Sequence, residues 1–418
     1  MQTDLADFIK DTPQGRAADA ILRRCVHCGF CAATCPTYQL LGDELDGPRG
    51  RIYLIKRMLE GAPVSEKTQR HLDRCLTCRS CETTCPSGVD YHRLLDIGRE
   101  VLEQRVPRTG KERALRFLLA QTVPRRRLFA AAVGVGRALR PWLPGGLARK
   151  VPPAAAERLP RPRQSGHSRR MLLLAGCVQP TLVANTNAAT VRVFDRLAID
   201  LIEVPAAGCC GALRHHLLGR RAAIDDMRRL IDAWWPHVEK GIEAIVITAS
   251  GCGAQLREYG PLLEDDPRYA AKAARIAALS RDVSQVLAAE RKTLLDLLQR
   301  SATGPAQRVA YHPPCTLQHA QKINGLAESL LVAAGHQLLP VADTHLCCGS
   351  AGTYSILQPT LAGQLRDNKL AALLAGEPTV LATANVGCQT HLQSGSALPV
   401  RHWIELIDER LQDAAPGR

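Results

Sequence analysis

The sequence predicts an α+β multidomain protein: a mostly α-helical N-terminal unit, a basic connector, and a C-terminal α/β unit made of two repeats. Three observations carry this reading. Of the 16 cysteines, those in residues 1–104 form two copies of one tight pattern. The remaining cysteines recur in two copies across residues 169–418, each with the same internal spacing of 32 residues. Between the two blocks lies a stretch that holds nearly all the excess positive charge.

Composition narrows the possibilities. Hydrophobic residues make up 46% and charged residues 22% of the 418, which suits a folded globular chain. Aromatics are only 4%, which argues against a base-stacking nucleic-acid platform. The best apolar run, Leu128 to Gly136, is far shorter than the roughly 18 residues of a spanning helix. Met1 to Asp11 carries Asp4, Asp7 and Lys10 and no apolar core of a secretory signal, so a cytoplasmic protein is expected. In that compartment cysteines are metal ligands or redox groups rather than a disulfide framework.

The N-terminal unit reads Cys25, Cys28, Cys31, Cys35 followed by Pro36, then Cys75, Cys78, Cys81, Cys85 followed by Pro86. Both copies are C-x2-C-x2-C-x3-C-P. Three thiolates at that separation wrap one cubane within a loop, and the fourth points away to the other cluster of a two-cluster protein. Two [4Fe-4S] clusters with crossed ligation are therefore expected. One uses Cys25, Cys28, Cys31 and Cys85; the other uses Cys75, Cys78, Cys81 and Cys35. Zinc fits poorly, because its sites take four ligands from two well-separated knuckles. Helical stretches are expected between the runs (Arg51 to Glu60) and after them (Tyr91 to Gln104).

Residues 105–168 form the connector. From Arg105 to Arg170 there are 17 Lys or Arg against two acids, Glu112 and Glu157, a net of +15 in a chain of +14. Lys111 to Val123 suits a short amphipathic helix ended by Pro124, and VPPAAAERLPRPRQSG an extended linker. Around Arg125, Arg126 and Arg127 the charge is interleaved with Leu118, Leu119, Leu128, Phe129, Leu139 and Trp142. That combination suits a surface helix on an anionic membrane, and it offers no nucleic-acid reading motif.

The repeats, about 169–260 and 306–400, each gather four cysteines: Cys177, Cys209, Cys210 and Cys252, then Cys315, Cys347, Cys348 and Cys388. Short apolar runs alternate with helical stretches such as Ala222 to Val238. The expected strands are Met171 to Leu174, Leu201 to Val204, Ala244 to Thr248, Val309 to Tyr311, Leu338 to Val341 and Thr379 to Ala382. This is the pattern of α/β units around a mostly parallel sheet, with ligands at strand ends. The quartets are candidates for one or two further iron-sulfur centres, and the glycine after each cysteine pair is expected to let backbone approach a cofactor. His312, His319, His345 and His391 lie beside the second quartet. The only near-match to a dinucleotide fingerprint, Gly134-Val135-Gly136, follows no strand, and no P-loop, G-x-S-x-G or H-E-x-x-H is present. Any two-electron oxidation of an organic substrate then needs a flavin or nicotinamide on another subunit.

The segments Val26 to Lys56, His71 to His92, Asn185 to Leu197, Thr248 to Gly260, Cys315 to Gly325 and His345 to Ile356 resemble the iron-sulfur subunits of bacterial glycolate oxidase. The resemblance implies a two-cluster ferredoxin-like N-terminal half and a C-terminal half like the CCG domains of heterodisulfide reductase. It also implies electron transfer from glycolate oxidation to glyoxylate towards a quinone-type acceptor, in a complex with two FAD-binding flavoprotein subunits at the inner membrane. A lactate or glycerol 3-phosphate dehydrogenase complex of the same architecture is the alternative, and a zinc-stabilised scaffold a third reading. The wider CCG pattern ends in C-x-x-C, whereas here Gln255 follows Cys252 and His391 follows Cys388 at that offset. Five-thiolate clusters and heterodisulfide chemistry are therefore not carried over.

Overall fold

The computed structural model describes residues 1–142, 151, 166–217, 219–301 and 304–411. In the N-terminal unit, helices Pro13–Arg24, Pro48–Leu59, Glu66–Asp73 and Tyr91–Arg105 pack around Leu22, Ile55, Met58, Leu72, Leu94 and Leu95. Thr12 caps the first helix by accepting from the Gly15 N–H, and Pro13 sits at the helix start, where a missing N–H costs nothing. Gly98 is what lets Tyr91–Arg105 lie against Pro48–Leu59: a Cβ there would stand 2.7 Å from Ile55 Cγ1.

The connector opens with Arg108, buried and paired with Asp73, Glu103 and Glu112, which ties it to the N-terminal helices. Two helices follow, Gly110–Thr122 and Arg126–Leu139, and neither buries a residue. The second was not resolved as a separate element by the sequence pattern. The expected extended linker lies almost wholly outside the described residues.

The C-terminal unit holds two four-stranded parallel sheets. The first has β1 (Arg169–Leu173), β2 (Ile199–Ile202), β3 (Ile245–Ile247) and β4 (Ser280–Asp282) in the order β2-β1-β3-β4. The second has β5 (Arg308–His312), β6 (Gln337–Leu338), β7 (Val380–Thr383) and β8 (Val400–His402) in the order β6-β5-β7-β8. The identical topology makes the repeat a structural one. Met171, Leu173 and Val246 of the first sheet share one core with Val309, Tyr311 and Val380 of the second, closed by Phe194, Trp403 and Ile407. The opposite faces carry separate cores, one containing Cys209 and Cys210, the other Cys348 and Cys388.

Two strand expectations shift. β2 begins at Ile199 and stops before Pro205, and β6 is only Gln337–Leu338 because Pro340 has no N–H to continue the ladder. β4 and β8 escape the pattern because their three residues, Ser-Arg-Asp and Val-Arg-His, show little apolar character.

Candidate iron-sulfur centres

The two N-terminal runs fold alike. His27 and Thr77 have positive φ, 56° and 53°, and so do the residues two further on, Gly29 at 86° and Arg79 at 63°. Alternating left-handed residues turn successive N–H groups towards the inside of the loop, which makes a concavity suited to an anionic centre. Only one of these four positions is glycine, so the remaining three carry strain that the loop's tertiary contacts must hold. After each run the chain turns back at Cys-Pro: Cys35 is the residue before the helix Pro36–Leu41, with Pro36 at its start.

That turn sorts the fourth cysteine of each run. One cavity is lined by Cys25, Cys28, Cys31, Cys81 and Cys85. Burial pushes the Cys31 thiol up to about 11 and raises Cys25 too, and the charge of Cys85 adds to both. Cys78 and Cys81 are raised well beyond the usual thiol range, first by burial, with Cys75 and Cys35 among the charges acting on each. Four sulfurs gathered in so dry a place stay thiolates only if a cationic centre compensates them, which is what iron supplies. Cys28 is exposed, flanked by exposed Val26 and Phe30, so this cavity opens at the surface. The second group is interior.

A buried ionic network holds the interior group. Asp46, fully buried, accepts from Arg74 Nη1 at 2.7 Å, and His71 Nδ1 lies 3.1 Å from it. Arg51, 1% exposed, reaches Asp46 at 3.5 Å, donates to the His71 carbonyl at 2.7 Å and to Thr37 Oγ1 at 3.1 Å. Thr37 in turn lies 3.3 Å from Cys35 Sγ. None of this was readable in the sequence, where Asp46 and Arg51 are ordinary charges near a turn.

In the C-terminal unit, the neighbouring thiols and burial together push Cys177, Cys209 and Cys210, and again Cys315, Cys347 and Cys348, well above the usual thiol range, with Cys252 and Cys388 among those neighbours. The Cys315 and Cys347 sulfurs are 3.9 Å apart. The N–H groups of Gly211 and Gly349 donate to Cys209 and Cys347 Sγ, each at 3.4 Å. The expected role of these glycines changes. Their φ values are 85° and 88°, and a Cβ would meet the Ala223 carbonyl oxygen at 2.9 Å or the Ala362 carbonyl oxygen at 2.7 Å. The helix packed behind each pair is enough to require them.

The histidines separate. His319 bridges two units, from Thr83 Oγ1 at 2.8 Å to the His345 carbonyl at 2.9 Å. His345 contributes that carbonyl, and His391 is hydrogen-bonded to the Ala362 carbonyl at 3.1 Å. Gln255 is buried, and its side-chain nitrogen finds no partner among the described residues. His312 has both ring nitrogens buried with no partner among the described residues, and burial, with the charge of Lys369, holds it well below the usual histidine range.

The N-terminal and C-terminal units share one apolar patch. Cys78 and Cys315 pack against one apolar patch of Leu76, Cys347, Tyr354, Leu361 and Leu365, and the Tyr354 hydroxyl donates to the Arg74 carbonyl at 3.2 Å. A second contact joins Arg79 and His92 to Glu258 of the first repeat.

Two family descriptions match: a 4Fe-4S dicluster domain over residues 21–89, and a cysteine-rich domain twice, over 171–257 and 309–393. The chain is 54% identical over 412 residues to the glycolate oxidase iron-sulfur subunit of Escherichia coli (strain K12), covering 99% of this chain and all of that one. This chain belongs to the glycolate oxidase iron-sulfur subunit family. A probable glycolate oxidase iron-sulfur subunit of Bacillus subtilis (strain 168) is 30% identical over 91% of this chain and 90% of its own length. Lactate utilization protein A of Geobacillus kaustophilus is 25% identical and matches only 58% of the chain, while 99% of its own length is covered. An iron-sulfur subunit carrying a 4Fe-4S dicluster domain and two cysteine-rich domains is an electron-transfer component.

Proposed function

We propose that this subunit carries electrons from glycolate oxidation, performed on two FAD-binding flavoprotein partners, to a quinone-type acceptor. Glycolate gives up two electrons and two protons to become glyoxylate, and the clusters, when bound, pass those electrons on singly. The observation that supports a wire is the order of the sulfur groups. Exposed Cys28 opens the group of Cys25, Cys28, Cys31 and Cys85 to the surface; in the other group Cys35 and Cys81 are buried and Cys75 and Cys78 half-buried, with none exposed; Cys78 then shares a patch with Cys315. In this reading each N-terminal group holds one [4Fe-4S] cluster with its fourth ligand taken from the other run, and the two C-terminal quartets hold further centres. Arg51 places a buried positive charge beside Cys35 and Cys75, which favours the more negative, reduced state of the interior centre.

The chain on its own is expected to show no glycolate-dependent dye reduction, and adding the flavoprotein subunits is expected to restore it. Turnover by the purified, flavin-free chain would remove the division of labour.

The connector is the proposed membrane dock. No helix among the described residues is long and apolar enough to cross a membrane. Helices Gly110–Thr122 and Arg126–Leu139 expose Phe117, Leu118, Leu128, Val135 and Leu139, and Trp142 follows at 78% exposure. A basic, partly apolar helical surface lies in a lipid interface, each basic residue contributing about 1 kcal/mol near anionic headgroups. Sedimentation with anionic vesicles should fall several-fold at high salt and when Arg125, Arg126 and Arg127 are all changed to Glu. Equal partitioning of variant and wild type would reduce the connector to a linker.

A further inference from the structure

The two cysteine quartets share the 32-residue step to the cysteine pair and the glycine after it, yet they differ three residues before the first cysteine. Three residues before Cys177 stands Leu174; three residues before Cys315 stands His312. Both side chains are buried, at 3% and 1% exposure. His312 ends β5, a strand inside its sheet, so it sits at the carboxyl edge where α/β folds collect ligands.

Its imidazole has no structural employment. Neither ring nitrogen meets a hydrogen-bond partner among the described residues. Other buried histidines of the unit are all satisfied: His319 by Thr83 and the His345 carbonyl, His336 by the Gln307 N–H, His402 by the Thr248 carbonyl and the Ile404 N–H. Leaving a polar ring buried and unpaired costs about 1–3 kcal/mol, and leucine at this position would avoid the cost, as Leu174 does in the first repeat. What does lie near the ring is sulfur. A ligand nitrogen of His312 and the sulfurs of Cys348 and Cys388 are all within 4.8 Å of one another. Neither cysteine reaches it as a hydrogen-bond partner, and that spacing is the one a shared metal atom would bridge.

We infer that His312 is a metal ligand, so that the second quartet binds its centre through imidazole nitrogen as well as thiolate sulfur, whereas the first binds through thiolates alone. The inference rests on the reading that the quartets hold iron-sulfur centres. Its consequence is functional asymmetry. Where the imidazole stands in for one of the four thiolates, the centre is less negative than an all-thiolate one and its reduction potential is higher. The quartet so equipped is the one whose Cys315 and Cys347 share an apolar patch with Cys78 of the N-terminal unit. Electrons arriving at that junction therefore find the better-accepting of the two C-terminal centres first.

The test uses the full-length chain, purified without oxygen, as wild type, His312→Leu, His312→Cys and Cys348→Ser. Iron, zinc and acid-labile sulfide are counted per chain, and electron–nuclear double resonance on protein made with isotope-labelled histidine reads nitrogen coupling to the reduced centres. Wild type should show a histidine nitrogen coupled to one centre. His312→Leu should lose that coupling and release metal to a chelator at least ~10–100-fold more readily, the effect that even an outer-shell partner carries. His312→Cys should recover metal but not the coupling, which separates a lost ligand from a misfolded domain. A His312→Leu protein with the metal content and spectra of wild type overturns the inference, and if Cys348→Ser still loses metal, the quartet reading survives it. If Cys348→Ser also keeps every metal atom, the quartet reading itself fails.

Discussion

Cys85→Ala is expected to abolish the centre of the first run, although Cys85 belongs to the second. The same substitution at Cys35 should abolish the centre of the second run and spare the first. The argument is the turn at Cys-Pro. Each run has left-handed residues at the same two places, and a proline follows its fourth cysteine. Cys85 lines the cavity of Cys25, Cys28 and Cys31, and Cys35 is among the charges that act on Cys78 and Cys81. A cubane that loses one of four thiolate ligands in a buried site falls to a three-iron form or is lost. Electron paramagnetic resonance of the two reduced variants should therefore show complementary spectra, each missing one of the wild-type signals. Both variants should bring glycolate-dependent reduction of the terminal acceptor by the assembled complex to background, because the route is in series. If Cys85→Ala instead removes the signal of Cys75, Cys78 and Cys81, each run serves itself and the crossed assignment is wrong.

Much of this was legible because it is local or repeated. The spacing within Cys25–Cys35 fixes how a loop can wrap a centre, and a second copy makes chance an implausible source. The two sheets could be read from apolar runs because their central strands are buried on both faces, Ile245 and Val246 in one and Leu381 and Ala382 in the other. What could not be read depends on docking between segments far apart in the chain. The patch shared by Cys78 and Cys315 requires two separately folded units to settle on Leu76, Tyr354 and Leu361, and no periodicity encodes that. Lys369 is similar: it lies in the helix Pro359–Leu374, only 3% exposed, with its Nζ donating to the Asp343 carbonyl at 2.5 Å. In the sequence it resembles any solvated lysine. His312 was visible as a histidine near a cysteine, but only the fold shows that its ring has no partner among the described residues while the rings of His319 and His391 are hydrogen-bonded.

Asp46→Ala is expected to destabilise the N-terminal unit by about 3–5 kcal/mol, the usual cost of removing one partner from a buried ion pair. Asp46 is fully buried and, among the described residues, is the only carboxylate paired with Arg51 and Arg74, with His71 beside them. Without it, Arg51 keeps its bonds to the His71 carbonyl and Thr37, but its charge is left in a dry interior with no counterion. The loss should reach the interior centre as well. The Asp46 carbonyl accepts from Thr37 Oγ1 at 2.8 Å, and the segment from Cys35 to Asp46 is held in place through that hydroxyl. Guanidinium titration followed by helical circular dichroism measures the first effect, and the rate of bleaching of the visible iron-sulfur absorbance measures the second. Asp46→Asn, which keeps an acceptor and the volume but not the charge, should fall between wild type and Asp46→Ala. Asp46→Leu combined with Arg51→Leu should recover part of the stability, because replacing a buried pair by apolar groups is often close to neutral. It should not recover the fast side of electron transfer, since the positive charge beside Cys35 and Cys75 is gone. An Asp46→Ala protein that unfolds within about 1 kcal/mol of wild type would mean that water, not Asp46, balances these cations, and the network would lose its claim to hold the interior centre.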